Sequence, residues 1–115
     1  MTEKSQRVIP ILPQNPGMQD FQEFVHGLES FHGWLDVDLV HNCFLMGEEV
    51  GELFKAIRKH LKYYEQPSAA DTVEGISEEI VDVLNYILAI ANRLNIDVEA
   101  AFRKKNALNL KRTWD

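Results

Sequence analysis

The stretch that decides the fold is residues 80–94, IVDVLNYILAIANRL, in which apolar side chains fall on nearly every face of a helix. A helix that is apolar all round is usually buried at the centre of its domain. Ser77, followed by Glu78 and Glu79, is typical of a helix start. The sequence therefore predicts a helix from Ser77 to Leu94, surrounded by the rest of the chain.

Three further helices are indicated by apolar residues spaced three and four apart. The first begins at Met18 and ends at Gly33, and the second runs from about Asp38 to His60. Asp97 can cap a fourth helix, whose C-terminal half is rich in Lys and Arg, where cations complement the helix dipole. No strand pattern competes with these helices. We therefore predict an all-α fold, a bundle of about four main helices.

The segments outside the helices suggest a simple domain organisation. Pro10, Pro13 and Pro16 cannot lie inside a helix and favour an extended arm over residues 1–17. Residues 63–75 have no helical period and are predicted to form a loop. A length of 115 residues suits one domain with a core of its own. We expect an extended N-terminal arm at residues 1–17 and a single helical domain at residues 18–115.

Charge and cysteine content exclude several classes of protein. The formal net charge of −6 disfavours binding to nucleic acid or to an anionic membrane, because such proteins usually carry a basic excess. A phosphate ligand would have to bind together with cations. The lone cysteine, Cys43, cannot form an intramolecular disulfide, and neither a signal peptide nor a membrane anchor is indicated. A cytoplasmic location is expected.

Two pairs of carboxylates lie three residues apart on the second and third predicted helices. Glu49 and Glu52 project from one face of the second helix, and Glu79 and Asp82 from one face of the third. Each pair is in line with apolar residues, and burying an unpaired carboxylate is costly. A bound cation is the simplest compensation, and carboxylate oxygens suit Mg²⁺ or Mn²⁺. A solvated helix face is the alternative, and the residues alone leave both open.

The two acidic motifs resemble those of the MazG-type, all-α NTP pyrophosphatase superfamily, which also includes dimeric dUTPases and phosphoribosyl-ATP pyrophosphohydrolases. Its pattern is Glu-Glu-x-x-Glu on one helix and Glu-x-x-Asp on the next, matched here by EEVGE at residues 48–52 and EIVD at residues 79–82. The resemblance covers about residues 20–113. It implies hydrolysis of a (deoxy)nucleoside triphosphate to the monophosphate and pyrophosphate, with deoxynucleotides preferred, in a house-cleaning or pool-regulating role.

The resemblance also implies roles for individual residues. Four carboxylates would hold Mg²⁺, for which Mn²⁺ could substitute: Glu49, Glu52, Glu79 and Asp82. Glu48 would orient or deprotonate the water that attacks the α-phosphorus. Substrate contacts would come from Lys105, Asn109 and Arg112 on the last helix, and from Tyr86, His26 and Trp34. The substrate contacts also have a purely structural interpretation. Basic residues complement the dipole at a helix end, and a Trp or His often packs in the core.

The superfamily fold implies a homodimer or a dimer of dimers, in which a four-helix core is completed across subunits. The almost wholly apolar third helix independently needs such cover.

Three other interpretations remain open. A non-catalytic helical dimerisation or regulatory module would carry the acids as surface charge, but it has no need of the full acidic pattern. A di-iron carboxylate bundle needs two Glu-x-x-His motifs, and only residues 29–32 have that spacing. A phosphatase would release orthophosphate instead of pyrophosphate.

Overall fold

The computed structural model describes residues 7–62 and 71–113, and within these ranges the chain forms four α-helices and no β-strand. The helices are α1 (Met18–His32), α2 (Leu39–His60), α3 (Val73–Arg93) and α4 (Val98–Lys111). The predicted all-α class with four main helices is confirmed. Residues 1–6 of the predicted arm and residues 63–70 of the predicted loop lie outside the described residues. Within the described ranges, no helix is long and apolar enough to cross a membrane.

Three of the predicted helix ends are formed by the expected residues. The Asp38 side chain accepts a hydrogen bond from the His41 amide at 2.7 Å and caps α2. Asp97 caps α4 in the same way. At the end of α1, Gly33 adopts the left-handed conformation with φ 77°, which glycine tolerates best, and Trp34 N donates to Glu29 O at 2.8 Å.

The start of α3 differs from the prediction, because the helix begins at Val73 and Ser77 lies inside it. Thr72 provides the cap, with its hydroxyl oxygen accepting from Gly75 N at 3.1 Å. The Ser77 hydroxyl donates to Glu74 O at 2.6 Å, a bond within the first turns of the helix. Residues 73–75, which were predicted to belong to the loop at residues 63–75, therefore form the first turn of α3.

Burial of α3 is one-sided. Leu88, Ala89 and Ala91 are buried, as the prediction of a central helix requires. Other apolar side chains of α3 remain 38 to 51% exposed, in line with the expectation that one chain cannot cover the whole helix: Ile80, Val81, Leu84 and Ile87. The described residues of one chain therefore cover one side of α3 and leave an apolar surface on the other.

The chain divides into two compact units, which we call the terminal unit (Met1–Asp36 and Ala91–Asp115) and the central unit (Val37–Ile90). The terminal unit contains α1 and α4, and the central unit contains α2 and most of α3. The division into an arm at residues 1–17 and one domain at residues 18–115 stays a prediction.

In the terminal unit, Gln22 of α1 joins the helix to the turn between α3 and α4. Its side-chain amide donates to Asn92 Oδ1 at 3.1 Å and to Ile96 O at 2.8 Å, and its carbonyl oxygen accepts from Val98 N at 3.0 Å. Asn92 Nδ2 donates in return to Gln22 O at 2.9 Å. Gln22 is buried, so these bonds satisfy polar groups that water cannot reach.

The N-terminal arm is held against α1 at two points. A Cβ atom on Gly27 would come 2.8 Å from Pro10 Cβ, so the absence of a side chain at Gly27 permits this close approach. Arg7 Nη1 donates to Phe31 O at 2.7 Å, near the C-terminal end of α1.

In the central unit, a hydrogen bond links the end of α2 to the residues that precede α3. His60 Nδ1 donates to Asp71 O at 2.9 Å. Asp71 is buried, with 4% of its surface exposed.

Candidate metal centre

Helices α2 and α3 bring three carboxylates together. Glu49 of α2 and Glu79 and Asp82 of α3 each offer one oxygen, and these three oxygens lie within 4.8 Å of one another. Glu49 and Glu79 are half-buried, whereas Asp82 is exposed. We call these three residues the acidic cluster. Three hard oxygen ligands at this separation could hold a metal ion.

Helical geometry explains why the acids converge. On α3, Glu79 and Asp82 share a row with Gly75 and Ala89, both of which are buried. On α2, Glu49 precedes the buried Ala56 by two turns. The acids therefore border the covered sides of their helices, as their alignment with apolar residues predicts.

The acidic cluster is electrostatically unfavourable without a cation. Burial raises the pKa of Glu49 above its usual value of 4.5, and the charges of Asp82 and Glu79 raise that pKa further. Glu79 Oε2 is buried and accepts no hydrogen bond from the described residues. A divalent cation would satisfy this oxygen and offset the repulsion, so the residues present fit a metal site.

Glu52 and Glu48 also lie close to the acidic cluster, although neither belongs to it. Both are exposed on α2, and both charges contribute to the raised pKa of Glu49 after those of Asp82 and Glu79. Among the described residues, the three oxygens within 4.8 Å of one another do not include one from Glu52. The role of Glu52 as a fourth ligand and that of Glu48 in activating water stay predictions.

The six expected substrate contacts lie in both units. Tyr86 is half-buried on α3, about one turn beyond Asp82, in the central unit. The other five belong to the terminal unit, with Lys105, Asn109 and Arg112 on or at the end of α4, and His26 and Trp34 on or after α1. Of these, Asn109 is half-buried and the rest are exposed.

A cleft of about 500 Å³ lies in the terminal unit. Its walls come from α1 and from the turn between α3 and α4, with these lining residues: Gln19, Gln22, Glu23, His26, Asn92, Asn95, Ile96 and Asp97. The structure thus places His26 at a concave surface. The assignment of His26 as a substrate contact stays a prediction.

Sequence reasoning missed the surroundings of Trp34. The indole ring stacks on His32, with ring centroids 4.3 Å apart and planes 18° apart. Arg93 Nη2 donates to Trp34 O at 3.1 Å and also binds Glu29. A signal was available, because Glu29 continues the buried row of α1 that begins with Gln22 and Val25, where a charge needs a partner.

Comparison with known proteins identifies one family. The family model described as the MazG nucleotide pyrophosphohydrolase domain matches residues 42–110. This range contains both acidic motifs and the whole acidic cluster. No match was found among curated proteins or among solved structures.

Proposed function

Because the chain belongs to the MazG nucleotide pyrophosphohydrolase domain family, we propose that it hydrolyses nucleoside triphosphates to the monophosphate and pyrophosphate, with deoxynucleotides preferred. The observation that carries the proposal is the acidic cluster, which two helices assemble inside the segment that matches the family. The buried, unpartnered Glu79 Oε2 supports a cation at this point. Clearance of unwanted nucleotides or control of nucleotide pools in the cytoplasm would suit such an activity.

The acidic residues have two different roles, metal binding and activation of the attacking water. Glu49, Glu79 and Asp82 hold Mg²⁺, or Mn²⁺ in its place, with Glu52 as a further ligand from the exposed edge of α2. The bound cation supplies positive charge that neutralises the phosphate oxygens and the leaving pyrophosphate.

Glu48 is assigned the role of activating the water molecule that attacks the α-phosphorus. Successive helix residues point about 100° apart, so Glu48 cannot share the direction of Glu49. Its exposed carboxylate can accept a proton from a water molecule. The water oxygen forms a bond to the α-phosphorus, the bond from that phosphorus to the bridging oxygen breaks, and pyrophosphate leaves.

Substrate recognition is assigned by family resemblance. Lys105, Asn109 and Arg112 contact phosphates and sugar. His26 and Trp34 contact the base, and Tyr86 contributes from α3. The cationic and aromatic chemistry of these side chains suits a nucleotide, since ammonium and guanidinium groups bind phosphate and aromatic rings stack on bases.

Homodimerisation completes the proposal. Ile80, Leu84 and Ile87 leave 38 to 51% of their surface exposed on α3, and Leu94 just beyond it is 51% exposed. Large exposed apolar side chains along one helix are typical of an interaction site. A second copy of the chain, as a dimer or a dimer of dimers, would cover it.

A product screen tests the proposed function. The purified protein is incubated with each common NTP and dNTP and Mg²⁺, and pyrophosphate and orthophosphate are quantified separately. Pyrophosphate release that EDTA abolishes supports the proposal, whereas orthophosphate release identifies a phosphatase. No turnover with any nucleotide favours the non-catalytic module, and stoichiometric iron after aerobic purification favours the di-iron bundle.

A matched pair of variants ties turnover to the acidic cluster. Glu79→Gln removes one charge from the cluster, and Glu78→Gln removes one from the adjacent, exposed position of the same helix. The proposal requires a large loss of turnover in Glu79→Gln and little change in Glu78→Gln. Equal turnover in the two variants would contradict it.

A further inference from the structure

A covered ion pair joins α1 to the end of α3 within the terminal unit. Arg93 Nη1 donates to Glu29 Oε1 at 2.9 Å, and Arg93 Nη2 donates to Glu29 Oε2 at 2.6 Å. The side chains retain 15% and 9% of their exposure, respectively. Such a two-bond pairing fixes the orientation of both groups as well as their separation.

The same guanidinium holds Trp34. Arg93 Nη2 donates to Trp34 O at 3.1 Å, and Trp34 N donates to Glu29 O at 2.8 Å. The intervening turn is set by Gly33 at φ 77°. Both backbone polar groups of Trp34 are therefore bonded to the residues of one ion pair.

The Trp34 ring is supported by a neighbouring ring but not buried. It stacks on His32 with centroids 4.3 Å apart, and His32 in turn makes an edge-to-face contact with Phe31 at 5.1 Å. Even so, 49% of Trp34 remains exposed. A large aromatic ring held at its backbone and supported by a neighbouring ring, with half its surface open, offers a stacking surface to a planar ligand.

Stability alone is a weak reason for a covered ion pair. Desolvation of the two charges offsets most of their attraction, and apolar replacements of similar volume are often neutral. The two-bond pairing instead fixes the orientation of the Glu29 and Arg93 side chains. A second Glu–Arg pair, Glu99 with Arg103 on α4, is exposed and makes no side-chain hydrogen bond to a third residue within the described part of the chain, so it makes a natural comparison.

We propose that Glu29 and Arg93 are positioning residues, which hold Trp34 so that its ring and that of His32 form a preassembled stacking surface for the nucleobase. The choice of a nucleobase as the ligand comes from the proposed function, and the inference rests on it in that respect. Neither Glu29 nor Arg93 contacts the base. They act by keeping Trp34 in its stacking position before the ligand arrives, which removes the ordering cost from binding.

The first experiment measures base binding without hydrolysis. Trp114→Phe leaves Trp34 as the single tryptophan, and its fluorescence is titrated with free nucleosides in EDTA. Stacking should quench the Trp34 emission. The double variant Glu29→Gln/Arg93→Met removes both charges at similar volume, which limits the risk of unfolding. It should weaken nucleoside binding about tenfold, within the range of affinity carried by one stacked base.

The second experiment separates positioning from general damage. In the full chain, Glu29→Gln/Arg93→Met should raise KM about tenfold and leave kcat within about twofold, the pattern of lost uniform binding. Trp34→Ala should have a similar effect. Adding Trp34→Ala to the double variant should cause little further loss, because both changes remove the same interaction. A merely structural role would lower kcat or combine additively with Trp34→Ala.

The control and the contrary outcomes are distinct. Glu99→Gln/Arg103→Met makes the same chemical change in the exposed pair and should alter neither KM nor quenching. Unchanged quenching and KM in Glu29→Gln/Arg93→Met, with a raised KM in Trp34→Ala, overturn the positioning role and leave the proposed function intact. Absence of quenching by every nucleoside overturns the stacking surface. If no nucleotide is hydrolysed, the proposed function fails, while the titration still decides this inference.

Discussion

Glu49 and Glu79 belong to different helices, yet each has a carboxylate oxygen within 4.8 Å of one on the other residue. Both are half-buried, and the raised pKa of Glu49 has its main cause in that burial. Two partly desolvated carboxylates at this distance destabilise the fold unless a proton or a cation intervenes. Binding of a cation and binding of a proton would each reduce this repulsion, and each leads to a prediction.

Mg²⁺ should raise the melting temperature, because it binds the folded acidic cluster and has no comparable site in the unfolded chain. A free concentration of 100 times Kd would add about 2.7 kcal/mol to the free energy of unfolding. We expect the shift in wild type and in Glu78→Gln, and a much smaller one in Glu79→Gln. Differential scanning fluorimetry with and without EDTA measures it. Equal shifts in all three proteins would place the metal elsewhere.

The metal-free protein should respond to pH through Glu49. Its folded-state pKa lies above its usual 4.5, so the folded state holds this proton more tightly than the unfolded state. Glu49 therefore favours folding fully below pH 4.5, and this contribution is lost as pH rises through the folded-state pKa. In EDTA at neutral pH, Glu49→Gln should melt above wild type, and the gap should close towards about pH 4. A gap that does not vary with pH would refute this assignment.

Substitutions of Glu48 and Glu49 should impair different steps of the reaction. Glu48→Gln should lower kcat by about 10²–10⁴-fold with nearly normal nucleotide affinity, because proton transfer belongs to the chemical step. Glu49→Gln should weaken both Mg²⁺ and nucleotide binding. Steady-state kinetics and equilibrium dialysis distinguish the two patterns. Matching defects in affinity would argue that both residues bind metal.

The position of bond cleavage can be read from oxygen-18 water. Attack at the α-phosphorus should place the label in the monophosphate, as mass spectrometry of the products would show. Label in pyrophosphate would mean attack at the β-phosphorus, and the role given to Glu48 would have to be revised.

Assembly should depend on the exposed side of α3. Light scattering at micromolar concentration should give a mass of at least twice 13.3 kDa. Ile80→Lys or Ile87→Lys should lower it, since a buried, unpaired lysine is strongly unfavourable. Val40→Lys serves as the control, because Val40 is also exposed but lies in the first turn of α2. A monomeric wild type would exclude the proposed dimer.

The helices were predictable because their signals are local. Asp38, Gly33 and Asp97 each form the predicted helix end, and periodicity identified the bodies of all four helices. The acids Glu79 and Asp82 could likewise be found from their spacing and apolar neighbours. The start of α3 was not predicted correctly, because Ser77 followed by two glutamates is a typical helix start, whereas Thr72 five residues earlier provides the cap.

Long-range pairings were beyond prediction for a different reason. Glu29 and Arg93 lie 64 residues apart, and no periodicity relates them. Gln22 and Asn92 are separated by 70 residues along the chain. Such contacts depend on how helices pack, which the pattern along a single helix does not specify. Exposure of part of α3 was expected from its apolar surplus, but hydrophobicity does not specify which side the same chain covers.

The hydrogen bond from His60 to Asp71 has an evolutionary consequence. Because it joins His60, at the end of α2, to Asp71, just before α3, substitutions and insertions between these two residues need not disturb the placement of α2 and α3. Doubling the length of a connection between two helices adds only about 0.6 kcal/mol of closure entropy. Natural selection can therefore diversify this stretch at little expense to folding, and transplanted segments of other lengths should still yield a folded protein.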